Sequence, residues 1–191
     1  MRKLIATEYV TLDGVMEAPG GETSLGPRGG WSFLFSGEEH SKFKFDELFA
    51  SDAILLGRVT YHIFAAAWPS RTDARGFADR MNSLPKYIVS KTLEKAEWNN
   101  SHLIKANVAE EVSRLKQQPG QNILVFGSAD LFNTLMQADL IDEYRFMVFP
   151  IVLGIGKRLF QVGKSATLKL VETQTFSSGV VVLIYQPERK E

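Results

Sequence analysis

Short apolar runs alternate along this chain with segments whose apolar positions fall at helical spacing. Lys3 to Leu12 reads as a first strand, closed by the turn chemistry of Asp13-Gly14. Residues 19 to 37 break the pattern. They hold six glycines and two prolines around an aromatic cluster, Trp31, Phe33 and Phe35. A loop of that length in a compact domain is often a binding loop or lid. Glu38 to Ala50 is a predicted helix, Asp52 to Leu56 a second strand, Arg58 to Ala67 the next helix, stopped by Trp68-Pro69. Asp73 to Ser83 follows as a polar helix and Lys86 to Ser90 as a β-branched strand, with a possible further strand over Asn100 to Lys105. Val108 to Gln118 is amphipathic and ends at Pro119-Gly120. Asn122 to Phe126 is an apolar strand, Ala129 to Ala138 a helix, Ile141 to Phe149 a strand, and residues 151 to 163 a Gly-rich stretch. Thr167 to Phe176 and Val180 to Tyr185 flank Ser177-Ser178-Gly179, a hairpin signal.

Strands alternating with helical crossovers predict a parallel sheet covered on both faces, and the closing hairpin predicts an antiparallel edge. The expected architecture is a three-layer, doubly wound α/β sheet in one domain over residues 1–191, with no linker, repeat or low-complexity segment.

In such a sheet, ligands gather at the carboxyl ends of the strands. Four segments fall there: Asp13-Gly14, Gly57-Arg58-Val59-Thr60, Ser90-Lys91-Thr92 and Gly127-Ser128. The second is the most informative. An apolar run ends in a glycine, an arginine follows, and a helix begins. The helix start offers free N–H groups and a positive dipole end to a phosphate, and Arg58 adds a planar charged fork. Gly127-Ser128 opens a second helix in the same way. Turn geometry and capping alone also explain such residues. Neither G-x-G-x-x-G after a strand nor G-x-x-x-x-G-K-[ST] is present, so a Rossmann fingerprint and a P-loop have no support.

Size and composition narrow the classes. The 191 residues are 45% apolar, with 13 Phe, 3 Trp and 5 Tyr, enough for a sizeable core. The 22 basic residues balance 22 acidic ones, so no nucleic-acid or acidic-membrane surface is suggested. There is no cysteine, which excludes disulfides, thiolate metal sites and a cysteine nucleophile and fits a reducing compartment. Glu8 and Asp13 interrupt the apolar start too early for a signal peptide, and no run approaches the roughly 18 apolar residues of a membrane helix. A soluble cytoplasmic protein is expected. His40, His62 and His102 lack metal-ligand spacing, so no metal is expected, although His62 falls four residues after Arg58. No nucleophile elbow is present.

The ordered motifs TLDGVME (11–17), ILLGRVTYH (54–62), YIVSKTL (87–93), ILVFGSADLFNTLM (123–136) and LIDEYRFMVFPIVLGIGKRLF (140–160) span nearly the whole chain. Together they resemble the dihydrofolate reductase-like superfamily, and more closely the reductase domain of the riboflavin-biosynthesis deaminase–reductase (RibD C-terminal type), in its stand-alone bacterial form. The resemblance implies NADPH as hydride donor and frequent homodimers; the apolar strand Tyr144 to Phe149 also suggests a dimer surface. It implies that Gly57, Arg58 and Thr60, with Val59 between them, hold cofactor phosphates. Ser90 and Lys91 would then lie near the adenosine end, and Gly127, Ser128 and Ala129 beneath the nicotinamide and pyrophosphate. In dihydrofolate reductases that last turn is a cis-linked Gly-Gly. Here it is Gly127-Ser128, and a non-proline cis bond costs ~2.5–4 kcal/mol, which leaves its state open. Those enzymes also carry one carboxylate on the first helix that holds the pterin. This chain offers Glu38, Glu39, Asp46 and Glu47 with none marked, so folate reduction is not expected.

Several residues admit two readings. Asp13, at the pocket end of the first strand, either relays a proton or only forms the turn before Gly14. Glu17 is a similar candidate for substrate contact. Trp31, Phe33 and Phe35 either stack on a flat substrate, under a lid hinged on the glycines, or plug the core. Asp139, Asp142 and Glu143 read as fixing a loop before a strand, and Pro150, Gly154, Gly156 and Lys157 as a turn on the nicotinamide side. The implied activity is NADPH-dependent reduction of a small pyrimidine- or pterin-like substrate, similar to 5-amino-6-(5-phosphoribosylamino)uracil reductase. The alternatives are a nucleotide-binding module that has lost the reaction, or a homodimeric flavin or pterin carrier.

Overall fold

In the computed structural model, which describes residues 1–188, eight strands form one sheet. They are β1 (Leu4–Thr11), β2 (Ser51–Gly57), β3 (Lys86–Val89), β4 (Ser101–Ile104), β5 (Asn122–Val125), β6 (Glu143–Phe149), β7 (Leu168–Thr175) and β8 (Val181–Pro187). Their order is β4-β3-β2-β5-β1-β6-β8-β7. All pairings from β4 to β6 are parallel, and β8 and β7 close the sheet antiparallel. The helices are α1 (Glu38–Phe49), α2 (Arg58–Ala67), α3 (Phe77–Ser83), α4 (Val108–Gln117) and α5 (Ala129–Gln137). None of the described helices is long and apolar enough to cross a membrane.

Because successive side chains of a strand point to opposite faces, β1 serves two cores. Leu4, Ala6 and Val10 pack with Val112 and Leu115 of α4 and Phe132 and Leu135 of α5. Ile5 packs on the other face with Leu48 of α1, Tyr61 of α2 and Met81 of α3. This three-layer, doubly wound arrangement is the expected one. Strand and helix ends differ by a residue or two, with one larger exception. The helix predicted from Asp73 begins only at Phe77, because the Asp73 carboxylate accepts the backbone N–H groups of Arg75, Phe77 and Ala78 and acts as a cap ahead of it.

Two expectations are corrected here. Strand β6 lies between β1 and β8, so the apolar stretch Tyr144 to Phe149 is spent inside the sheet and offers no dimer surface. Residues 19–37 are folded onto themselves. Gly26–Arg28 and Trp31–Phe35 are 3-10 turns, and Ser32 donates both its backbone N–H and its hydroxyl to the Pro19 carbonyl.

Candidate functional site

Strand β5 stops at Val125, opposite Ala6, whereas β1 continues along β6 as far as Thr11. Beyond Ala6 the sheet therefore has a gap on the β5 side of β1. Around it the chain leaves β2 at Gly57 and β5 at Gly127. These turns touch: the Gly57 N–H donates to the Gly127 carbonyl at 3.1 Å. A Cβ added to Gly57 would lie 2.5 Å from Ser128 Oγ and 3.0 Å from the Ser128 nitrogen, so only glycine permits the approach. Gly127 has φ +58°, a conformation suited to glycine, and the Gly127–Ser128 peptide is cis, which settles the bond left open by the sequence.

The contact brings the N-termini of α2 and α5 together. Neither is capped by the side chain before it. Their first N–H groups and dipole ends are thus available to an anion. Arg58 and Val59 are exposed at the start of α2, Thr60 is half-buried beside Gly127, and Ala129 is buried beneath the start of α5. Arg58 and Lys91 form no ion pair among the described residues, and Lys91 is exposed at the end of β3. Ser90 is committed: its hydroxyl accepts the N–H groups of Thr92 and Leu93 and shapes the turn that carries Lys91. Two adjoining open helix starts, with Arg58 at one of them unpaired among the described residues, fit a dinucleotide phosphate group. Gly57, Arg58, Thr60, Gly127 and Ser128 would hold it, with Lys91 farther along the sheet.

The expected substrate and proton residues are largely spent elsewhere. Asp13 accepts from the Thr11 hydroxyl at 2.6 Å and from the N–H groups of Gly154 and Leu153 at 2.9 and 3.2 Å. The Thr11 contact foremost, then these amides, hold its carboxyl down at about 2. Asp13 is therefore an ionised tie between β1 and residues 151–156 and carries no proton to give. Glu17 accepts the Lys157 N–H at 2.7 Å, in the same tie. Trp31 is 2% exposed against Phe149, and its indole N–H donates to the Glu17 carbonyl at 2.8 Å, so it belongs to the core and forms no movable wall. The 3-10 turn points Phe33 and Leu34 outward instead, 60% and 73% exposed.

The α1 carboxylates are occupied too. Glu38 faces Arg75, Glu39 holds the Ser177 N–H and hydroxyl, and Asp46 pairs with Lys42. Glu47 is buried against Lys44, Arg145 and the Thr7 hydroxyl. Glu38 and Asp46 pair only at the surface and Glu39 and Glu47 are held by hydrogen bonds, so none stands out as a pterin carboxylate. Beside this network, His40 Nε2 lies 2.5 Å from the Tyr9 hydroxyl, and burial pulls the imidazole down to about 4.

One residue at the gap carries no sequence motif. Glu8 sits on β1, is 4% exposed, and its Oε1 accepts the Gly127 N–H at 2.7 Å. Burial foremost pushes its carboxyl up to about 8, opposed by the Gly127 hydrogen bond and by Lys44. In the sequence it reads only as a charge that breaks an apolar run. Its partner lies 119 residues away, beyond the reach of any local pattern.

An open, mostly parallel sheet with an antiparallel closing pair, in which β2 and β5 end side by side at glycine turns, is the architecture of the dihydrofolate reductase-like reductases. Within that class the chain belongs to the RibD C-terminal domain family, whose model matches residues 2–182. The uncharacterized protein YyaP of Bacillus subtilis (strain 168) is 35% identical over 188 residues, covering 96% of this chain and 94% of its own length. Two solved structures share the fold. A protein provisionally named a riboflavin biosynthesis protein, from Shewanella sp. PV-4, superposes with TM-score 0.76 at 18% identity, over 99% of this chain and 100% of its own. A dihydrofolate reductase from Enterococcus faecalis, complexed with NADP(H) and RAB-propyl, gives 0.63 at 14% identity, over 98% and 97%.

Proposed function

We propose that this protein is an NADPH-dependent reductase of a small heteroaromatic substrate, pyrimidine- or pterin-like, akin to 5-amino-6-(5-phosphoribosylamino)uracil reductase. The observation that carries the reading is the apposition of two uncapped helix starts at Gly57 and Gly127–Ser128, with Arg58 beside them unpaired among the described residues. NADPH, when bound, supplies a hydride. The chain's own part is to seat the phosphates on the α2 and α5 N-termini and to direct Arg58 and Lys91 at a 2′-phosphate. It also leaves the β5-side edge of β1 beyond Ala6 without a strand partner, where the reacting ring would lie. Asp13 and Glu17 hold residues 151–157 against the mouth of the gap, a positioning role.

A cysteine-free enzyme of this kind belongs with the reducing, NADPH-supplied cytoplasm. It is proposed to work as a homodimer, checked by sedimentation at micromolar concentration. A single species of the 21.4 kDa chain would refute a stable dimer. The function is tested by fluorescence titration with NADPH and NADH, followed by NADPH oxidation over a panel of pyrimidine and pterin substrates. Binding without oxidation of any substrate would favour the nucleotide-binding module. No binding would refute both.

A further inference from the structure

The gap holds one carboxyl group that the seating of a cofactor does not use. Glu8 Oε1 is fixed by the Gly127 N–H, while Oε2 has no hydrogen-bond partner among the described residues. Oε2 lies 3.8 Å from the point that a Cβ on Gly127 would occupy, and that same point is 3.0 Å from the Thr60 hydroxyl and 3.3 Å from the Met16 methyl. Glu8 thus reaches, beside the Thr60 hydroxyl and the Met16 methyl, the Cα side of the turn on which the nicotinamide end of the cofactor is proposed to rest. Asp13 is bound to the Thr11 hydroxyl and two backbone amides, and Glu47 to Lys44, Arg145 and Thr7. Glu17 also has one oxygen held, by the Lys157 N–H, but it is half-buried where Glu8 is buried.

We propose that Glu8 is the proton donor of the reaction, delivering its carboxyl proton from Oε2 to the substrate atom next to the one that accepts hydride. This rests on the reductase reading and names the catalytic acid of the same site. At a C=N or C=O bond of the substrate, carbon accepts the hydride and the π electron pair moves to nitrogen or oxygen. That atom takes the Glu8 proton. NADP⁺ and the Glu8 carboxylate remain, and the carboxylate is reprotonated from water. A buried carboxyl is suited to this because desolvation keeps it neutral near pH 7. The charged groups that act on Glu8 are both on α1: Lys44 lowers its proton affinity and Glu47 raises it.

The test exploits the charge on the nicotinamide ring. A positive ring beside Glu8 favours the carboxylate, whereas the neutral ring of NADPH does not. NADP⁺ binding to the wild-type protein should therefore release a proton, its Kd falling about tenfold or more as pH rises from 6 to 8, while the NADPH Kd stays level. Glu8→Gln should bind both cofactors with no such difference. With any substrate that the panel finds, Glu8→Gln should lower kcat by roughly 10²–10⁴-fold, with KM within threefold. Wild-type Kd values for NADP⁺ that parallel those for NADPH across pH would overturn the proposal. So would a Glu8→Gln protein with near-normal kcat. Failure of the wild type to bind NADPH would instead overturn the reductase reading. The wild-type comparison stands even if the variant does not fold.

Discussion

Replacing Gly57 by alanine probes the contact between the two turns directly. Gly57 has φ −75° and ψ 159°, which alanine adopts freely, so any penalty is steric and not conformational. The new methyl would sit 2.5 Å from Ser128 Oγ, 3.0 Å from the Ser128 nitrogen and 3.2 Å from its Cβ. Rotation of the serine side chain relieves only the first of these. The backbone must part by a few tenths of an ångström, and such overpacking typically costs about 1–3 kcal/mol. The same displacement separates the N-termini of α2 and α5, so NADPH affinity should fall by roughly tenfold, the equivalent of ~1.4 kcal/mol. Ser128→Ala removes the 2.5 Å contact and leaves the other two. In that background Gly57→Ala should cost less, with a coupling of roughly 0.5–1 kcal/mol by double-mutant cycle. Urea denaturation gives the stability and fluorescence titration the affinity. Strictly additive stabilities, or normal NADPH binding by Gly57→Ala, would refute the apposition as the basis of the site.

Three further outcomes are expected. Arg58→Ala should weaken NADPH by about 10- to 100-fold, since a charged contact contributes ~1.5–3 kcal/mol, and leave NADH nearly unchanged; equal losses would reassign Arg58 to the pyrophosphate. Trp31→Ala should destabilise by about 3–5 kcal/mol, lowering Tm by roughly 6–20 °C, with NADPH affinity retained; a small Tm change with lost turnover would restore the lid. Stability should also carry the Glu8 titration. The folded carboxyl titrates near 8 and the unfolded one near 4.5, so the folded state keeps a proton that the unfolded state loses between those values. Stability therefore falls with rising pH across that window, by at most about 1.4 kcal/mol per unit. His40, depressed to about 4 from 6.5, opposes this below pH 6.5. Denaturant midpoints should decline from pH 6.5 to 8 in the wild type and stay flat in Glu8→Gln.

The sheet and the two glycine turns of the candidate site were legible because they rest on local patterns. The run Ala53 to Leu56 ending at Gly57, then Arg58 and a helix, announces a strand, a turn and a phosphate-ready helix within a few residues. The substrate side was not legible in this way. Trp31, Phe33 and Phe35 alternate in sequence like strand residues, yet a 3-10 turn buries the first and exposes the second. Asp13 gave no sign of its occupation, since the amides that neutralise it as a catalyst are contributed about 140 residues later. Glu8 acquires its chemistry only when β5 ends short and Gly127 folds over it.

The ties at Asp13 and Glu17 bear on how the molecule moves. Residues 12–17 and 151–159 are stitched by Leu12 to Ile151, Met16 to Lys157 and Leu159 to Gly14, besides the two carboxylates. The Gly-rich stretch and the stem of the 19–37 loop are thus tied to each other, and such a unit is expected to open as a whole. Amide exchange at Met16, Gly154 and Lys157 should follow a common opening rate, and Asp13→Ala should quicken all three together. Traffic into the gap would then be timed by a pair of strands' worth of backbone from opposite ends of the chain, and not by the glycines of either loop.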